Sequence, residues 1–503
     1  MTRLTRVLQT AHDEPLDLEA ITGALRTRFS VVTGPVKPVR RARLDTFDHR
    51  LRAAGLTLQH QSGQDGDVLI LGDGDTTVSE PHGNLRWPAL ADALPAGRLR
   101  EVTAPITGIR ALIASSQESR RLRLLDLLNE DGKTVARVDV DEPGSPTAGP
   151  PQITVRPLRG YEDQAQRAVR LLSEAGLRPL RRRAECDHDS PPEPTMADRD
   201  APATLLLAAG FKGGLATMRT NLPGLLEDVD SELLHDFRVA VRRTRSTLKL
   251  GRSILPQAVT AHWEPFFKGM GDLTTPVRDL DVYQLDLPTM AGWLTAAGPD
   301  DLEPFAAHLR TRRAALREPL VRQLRSAKFR RLLTQWGDEL DRLTDDTLAS
   351  SPETLSAGQW AERTISRAYR RVVRGGAAIT TDSPASDLHA LRKRCKELRY
   401  AIEVCAPVVA GGPRKHALAH LKKLQAVLGR FQDCQVQGTA LRGFAEAMMT
   451  DGTPASGLLA MGELIARLEA EQARARRQFD GAFAQFARPK TRQTMQRLGG
   501  TRR

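Results

Sequence analysis

The stretch Leu234-His235-Asp236-Phe237-Arg238-Val239-Ala240-Val241-Arg242-Arg243-Thr244-Arg245 returns 154 residues later as Leu388-His389-Ala390-Leu391-Arg392-Lys393-Arg394-Cys395-Lys396-Glu397-Leu398-Arg399. The offset persists downstream without a gap: Lys268 falls on Lys422, Asp279 on Asp433 and Val282 on Val436. A helix followed by a matching aspartate at one constant spacing implies two copies of one multi-helix unit. In each copy apolar residues recur in steps of three and four, at 234, 237, 241, 244 and 248 and at 388, 391, 395, 398 and 402. That period is the seam of an amphipathic helix turned to a core. Asp230 or Ser231 in the first copy and Ser386 in the second are the expected N-caps.

A second pattern runs beside the seam. His235, Arg238, Arg242 and Arg245 stand at i, i+3, i+7 and i+10, and at about 100° per residue they fall within an arc of roughly 80°. His389, Arg392, Lys396 and Arg399 repeat the arc. A solvated basic helix interleaves glutamates at i+4 to relieve its own repulsion. Here the first copy has no acid between Asp236 and Lys249, and the second has only Glu397. Uncompensated rows of this kind call for an anionic partner. Inorganic polyphosphate, a chain of charges with oxygen acceptors only, suits the planar donors of arginine, the point charge of lysine and the ring donors of histidine. Lys249, Lys268, Lys393 and Lys422 extend the set, and further basic faces come from Arg310, Arg313 and Arg317 and from Arg363, Arg367, Arg370 and Arg374. Asp279 and Asp433 read as carboxylates that orient a neighbouring arginine or cap a helix.

Charge is distributed accordingly. Residues 1–200 carry 28 Lys and Arg against 29 Asp and Glu, whereas residues 201–503 carry 46 against 32, so the whole excess of +13 belongs to the second part. Such a field concentrates anions. Before residue 184 the texture is mixed. Asp67–Leu71, Arg121–Leu125 and Lys133–Asp141 alternate like strands, Asp17–Arg28 and Glu162–Ala175 are periodic like helices, and the Gly/Asp run from Gly63 to Asp75 reads as turns. An α+β domain is expected over 1–183. The Pro- and Asp-rich stretch 184–203 reads as a linker. Long Leu/Ala/Arg helices then fill 204–490, in copies of about 204–350 and 358–490, and 491–503 reads as a basic tail. No run is long and apolar enough to span a bilayer, and Met1–Arg6 does not open a secretory signal, so a cytoplasmic protein without a membrane partner is expected. Cys186, Cys395, Cys405 and Cys434 lack C-x-x-C spacing and read as reduced structural thiols. Neither a metal nor another cofactor is indicated.

The paired helices and the downstream Arg278-Asp279 and Gln432-Asp433 segments resemble the CHAD family, the conserved-histidine α-helical domain, over roughly 204–490. The resemblance implies two pseudo-symmetric four-helix bundles around a basic channel that binds inorganic polyphosphate. It assigns that role to His235, Arg238, Arg242, Arg245, His389, Arg392, Lys396 and Arg399. CHAD modules are often preceded by a CYTH domain, a triphosphate-tunnel enzyme built as an antiparallel β-barrel, and residues 41–58 resemble the segment in which an Asp-Thr pair precedes a short helix and a strand. The E-x-E-x-K motif that defines that family is missing. Its nearest counterpart is Asp17-x-Glu19, with Ile21 where the lysine belongs. Arg137, Asp139 and Asp141 share one strand face, as do Arg121 and Arg123; solvent is the expected destination of both sets, and the lining of a vestigial tunnel is the alternative.

A non-catalytic polyphosphate binder, associated with polyphosphate granules, is therefore the leading expectation, with no catalytic residues. A metal-dependent triphosphatase with a drifted site is the alternative. Nucleic acid is a weaker partner, because aromatics make up 4% of the chain and single-stranded binders need stacking platforms.

Overall fold

The computed structural model describes residues 6–10, 16–64, 66–72, 77–81, 85–145, 150–179, 198–345, 355–450 and 452–498. The expected linker lies outside the described residues as far as 197, and Cys186 with it. The chain divides into two compact units, Met1–Pro192 and Glu193–Arg503.

The first unit is a curled antiparallel sheet. Its strands are β1 (Arg6–Gln9), β2 (Ser30–Thr46), β3 (Thr57–Gly63), β4 (Gly66–Gly72), β5 (Thr77–Pro81), β6 (Ala89–Leu90), β7 (Ala111–Leu128), β8 (Thr134–Pro143), β9 (Gln152–Pro157) and β10 (Arg178–Pro179). They pair in the order β10-β1-β9-β8-β7-β2-β3-β4-β5, with β6 on β7. Strands β2 and β7 run together for most of their length, with register shifts between Thr33 and Val36 and between Arg43 and Leu44. Such shifts bend a strand and raise its twist. Part of the Gly/Asp run expected as turns is strand β4, because Val68, Leu69, Ile70 and Leu71 alternate and pair with β3.

Alternation gives the sheet two unlike faces. One carries Leu44, Leu58, Leu125, Leu127, Val138, Val140, Ile153 and Val155, all buried. Towards one end the helices α1 (Leu18–Arg26) and α4 (Glu162–Glu174) cover it with Ile21, Leu25, Ala165, Ala168 and Leu172. Towards the other, α2 (Arg50–Ala53) and α3 (Arg98–Thr107) supply Leu51 and Leu99. Arg121 and Arg123 belong to this face by parity with Leu125. The opposite face is polar and carries Arg41, Gln61, Arg120 and Asp141.

The second unit is helical: α5 (Ala203–Glu227), α6 (Ser231–Leu250), α7 (Gln257–Ala291), α8 (Glu303–Arg325), α9 (Ala327–Arg342), α10 (Ala357–Ala377), α11 (Ala385–Val404), α12 (Gly411–Thr450), α13 (Ala455–Phe486) and α14 (Pro489–Leu498). The repeat is visible in these boundaries. Adding 154 to the ends of α6 gives the ends of α11, and adding it to the start of α7 gives the start of α12. Among the described residues each copy has four longer helices and a shorter fifth, and the segment expected as a tail from 491 is helical through Leu498, held by buried Thr491, Met495 and Leu498.

Both seams are buried as their spacing predicts: Leu234, Phe237, Val241, Thr244 and Leu248, and Leu388, Leu391, Cys395, Leu398 and Ile402. Asp230 caps α6, accepting hydrogen bonds from the amides of Glu232 and Leu233. Ser386 does not cap α11; the helix starts at Ala385 after Pro384, whose ring has already fixed the backbone there. Cys395, Cys405 and Cys434 are buried free thiols, and burial pushes Cys395 up to about 12.

One apolar cluster takes residues from both copies, Leu280, Tyr283, Phe305 and Leu309 from the first and Cys434, Leu441, Met461 and Leu464 from the second. Leu280 and Cys434 are equivalents across the repeat. So are Tyr283 and Gln437, and the Tyr283 hydroxyl donates to the Gln437 carbonyl oxygen at 3.4 Å. Residues that meet their own equivalents lie on the rotation axis relating the copies. The two bundles therefore share one core around a pseudo-two-fold axis. Phe237 is fully buried within the first copy. Replacing it with alanine should lower stability by about 3–5 kcal/mol through lost burial and the cavity left behind, seen as a lower urea midpoint for loss of helical signal.

Candidate functional site

The motif helices α6 and α11 pack against each other. Arg242 and Lys396, equivalents across the repeat, lie on these two packed helices and act on one another electrostatically, so the two basic rows run within reach of each other. Among the described residues neither side chain has an ion pair or a hydrogen bond. Arg242 also acts on His235 and Arg238 in its own row, and Lys396 feels Arg392 and Arg399 in the other. Burial, and after it these neighbouring cations, pushes Lys396 down to about 8, with Asp433 opposing. His235 is also held below the ordinary histidine value, first by burial and then by Arg278, against Glu232 and Asp236.

The remaining members of each row are held by the next helix. Arg238 donates to the hydroxyls of Thr274 at 3.1 Å and Thr275 at 2.7 Å, on α7. Arg392 donates to Asp433 on α12 at 2.9 Å. His389 Nδ1 lies 2.7 Å from Gln432 Oε1. In the first copy the residue matching Gln432 is Arg278, which turns to Glu232 at 2.9 Å and to the Ser231 carbonyl at 3.2 Å. Asp433 therefore does orient an arginine, while remaining exposed. Sequence reasoning passed over Arg278 and Gln432 as site residues, although they occupy matching repeat positions beside the two aspartates.

The other candidates separate into two groups. Lys249, Lys268, Lys393 and Lys422 are exposed, and Arg245 is half-exposed. Arg245 and Lys249 both act on Glu264, which the bidentate Arg252 also engages. Arg363, Arg367 and Arg370 line the outer face of α10. In the second group arginine donors are already committed. Arg313 bridges Asp228 at 2.7 Å and the buried Asp281 at 2.5 Å. Arg317 donates to the carbonyl oxygens of Leu225 and Leu226, closing the C-terminal end of α5. Arg310 pairs with Glu303 at 2.6 Å. These three border a cleft of about 420 Å³ with Asp228, Gln284 and Glu318. Arg399 pairs with Glu403 at 2.6 Å, and Arg243 approaches the same carboxylate at 3.8 Å across the copies.

In the first unit the expectation that Arg137, Asp139 and Asp141 face solvent is corrected for Asp141. It is buried on the polar face, accepting from Arg120 Nε at 2.7 Å and from Arg41, which also donates to Gln61 at 2.8 Å. Strand twist brings β2, β7 and β8 together there, and partnered charges tolerate the burial. Arg137 pairs with Asp126 and Asp139 with Arg156. Burial pushes Asp139 above the usual carboxylate range, against the pull of Arg156. The acidic alternation at Asp17 and Glu19 is not on a strand: Asp17 caps α1, accepting from the Ala20 amide. Asp45 accepts from the amides of Thr46, Leu51 and Arg52, and Thr46 from that of Arg50, so the Asp-Thr pair holds the short helix α2. Among the described residues no group of three or more His, Cys, Asp and Glu side chains could hold a metal ion. No described helix is long and apolar enough to cross a membrane.

Comparison with known proteins places a family on this geometry. Residues 209–442 match the CHAD domain, so the helical unit carries a CHAD domain. The chain is similar to the crystal structure of the CHAD domain from the plant Ricinus communis, at 23% identity and TM-score 0.47 over 59% of this chain and 97% of that one. It is similar to PptA from Streptomyces chartreusis, at 18% identity and TM-score 0.42 over 56% of this chain and 100% of that one. A putative adenylate cyclase from Bacillus halodurans is similar at 10% identity and TM-score 0.27, over 37% of this chain and 95% of that one. No curated protein matches the chain.

The lowered value of Lys396 makes a pH-dependent prediction. Lys396 is cationic below about 8 and neutral above it, so affinity for a polyanion should fall as pH rises from 7 to 9. An ordinary lysine near 10.4 would leave that range flat. Isothermal titration across the range checks it, and Lys396→Arg, which keeps its charge throughout, should flatten the profile.

Proposed function

We propose that the CHAD domain binds inorganic polyphosphate, with the phosphate chain crossing the two basic rows where Arg242 meets Lys396. The meeting of these two side chains supports the reading most directly. Two cations that are repeat equivalents act on one another across α6 and α11, neither has an ion pair among the described residues, Asp433 offsets them only in part, and a bound anion would relieve the repulsion. Arg238 and Arg392, fixed by α7 and α12, present arginine planes on either side. The row from His235 to Arg245 spans about 15 Å of helix, so a linear ligand with regularly spaced charges matches it better than a compact one. Binding to polyphosphate granules would follow from this affinity.

The double variant Arg242→Gln, Lys396→Gln should lose polyphosphate binding by at least about tenfold with its helical signal intact, since both substitutions remove charge without touching the seam. In the unsubstituted protein affinity should fall steeply with added salt, as neutralised phosphates release their counterions. Normal binding by the double variant would place the ligand elsewhere. A salt-insensitive affinity would show that charge does not carry it.

The first unit reads best as non-hydrolytic. Asp139 and Asp141 are each engaged by arginine, and Asp17 and Glu19 serve a helix start, so these carboxylates are committed to structure. Metal-assisted phosphoryl chemistry uses carboxylates that are free to fix the ion. The expected outcome is no phosphate release from inorganic triphosphate with magnesium or manganese. A metal-dependent rate that disappears with Asp139→Asn or Asp141→Asn would put triphosphate hydrolysis first.

A further inference from the structure

The two copies carry very different charge on their third helices. From Gln257 to Arg278 the first copy has Lys268 and Arg278 against Glu264 and Asp272, and so no net charge. The matching stretch of the second copy, Gly411 to Gln432, has Arg414, Lys415, Lys422, Lys423 and Arg430 and no acid at all. The short helix α14, which packs on α12, adds Lys490, Arg492 and Arg497, again without an acid. Lys415, Lys422, Lys423 and Lys490 are exposed and make no ion pair among the described residues. Nothing in the repeat or in the packing of α12 requires this excess, because the core side of the helix is carried by Ala417, Leu421, Leu424 and Leu428.

The cations form one continuous track. Gln432 and Asp433 hold the row of α11, and Gln425 donates to the Cys395 carbonyl at 2.9 Å, so this side of α12 adjoins the paired rows. Lys422 and Lys415 lie three and ten residues before Gln425, along the same side of the helix. Lys423 stands one position further round, near His420. His420 is held below the ordinary histidine value, first by burial and then by Lys423, Lys490 and His416, and α14, which carries Lys490, packs on α12. The track therefore runs from the paired rows, over Lys422 and Lys415, to Lys423, His420 and Lys490 at α14.

We infer that the outer face of α12 and α14 is a second contact surface for the same polyphosphate chain, engaged by chains too long for the paired rows alone. The inference rests on the reading of the paired rows given above. Nucleic acid is disfavoured on this face because positions 415, 416, 419, 422, 423, 426 and 430 are Lys, His, Ala, Lys, Lys, Ala and Arg, which offer no Phe, Tyr or Trp for bases to stack on.

The test compares the full chain with the triple variant Lys415→Gln, Lys423→Gln, Lys490→Gln and with the double variant at Arg242 and Lys396. Binding is measured to short polyphosphate, enough to span one row, to long-chain polyphosphate, and to RNA of matched charge. The triple variant should bind long chains about tenfold more weakly, with a log-log salt slope smaller by about two to three, as expected for three lost phosphate contacts. Its affinity for short chains should be unchanged. The double variant should lose both lengths. Unchanged long-chain affinity in the triple variant would overturn the inference. Equal loss for both lengths would merge these lysines with the paired rows and also overturn it, as would a loss confined to RNA. Failure of the unsubstituted protein to bind either length would instead remove the function proposed for the rows themselves.

Discussion

Arg242 and Lys396 constrain much else in the helical unit. Two like charges on neighbouring helices repel, and the more so where one of them, Lys396, is partly buried. They are brought there by the sequence around them. Each stands five residues from a fully buried seam side chain, so neither helix can turn its row away without exposing Phe237 or Leu391. The shared cluster around Leu280, Tyr283 and Cys434 ties the copies at a second point near the axis. Apolar packing thus fixes the helices, and the helices force the cations together. The resulting field of positive charge is built into the packing of α6 and α11.

The copies are equal in backbone and unequal in chemistry. At one matching pair the first copy has Arg278, locked to Glu232, and the second has Gln432, bonded to His389. Arg278 lowers the tendency of His235 to take a proton, whereas the Gln432 carbonyl oxygen accepts from the His389 ring when its Nδ1 carries the proton. The first copy instead gathers its arginines around Asp228 and Asp281, where they close a helix end, while the second leaves its lysines on an open face. A duplicated scaffold has kept its packing and divided its cations between holding the fold and facing solvent.

The seam, the repeat and the basic rows were legible because each depends on one helix and its period. The rows' meeting was not, since it depends on how two helices 154 residues apart pack. Nor could spacing tell which arginines had partners. Arg313 and Arg363 look alike in sequence, yet one is shared between two aspartates and the other is exposed. In the first unit alternation found parts of β4, β7 and β8 and period found α1 and α4, but the long strand β2 and the burial of Asp141 were not legible. Parity shows that Asp139 and Asp141 share a face, and it cannot show that Arg41 and Arg120, from two other strands, converge on one of them.

The choice of lysine at 396 opposite arginine at 242 has its own physical sense. Arginine keeps its proton throughout the accessible range, so two arginines at these positions would repel at every pH. A lysine can release its proton when crowded, and Lys396 is pushed down to about 8 by burial and by the cations around it. Lys396 can therefore shed part of this repulsion by losing a proton, and under the function proposed above a bound phosphate chain would favour its protonated form. The difference between two matching positions of the repeat, lysine in one copy and arginine in the other, is what allows the charge there to change.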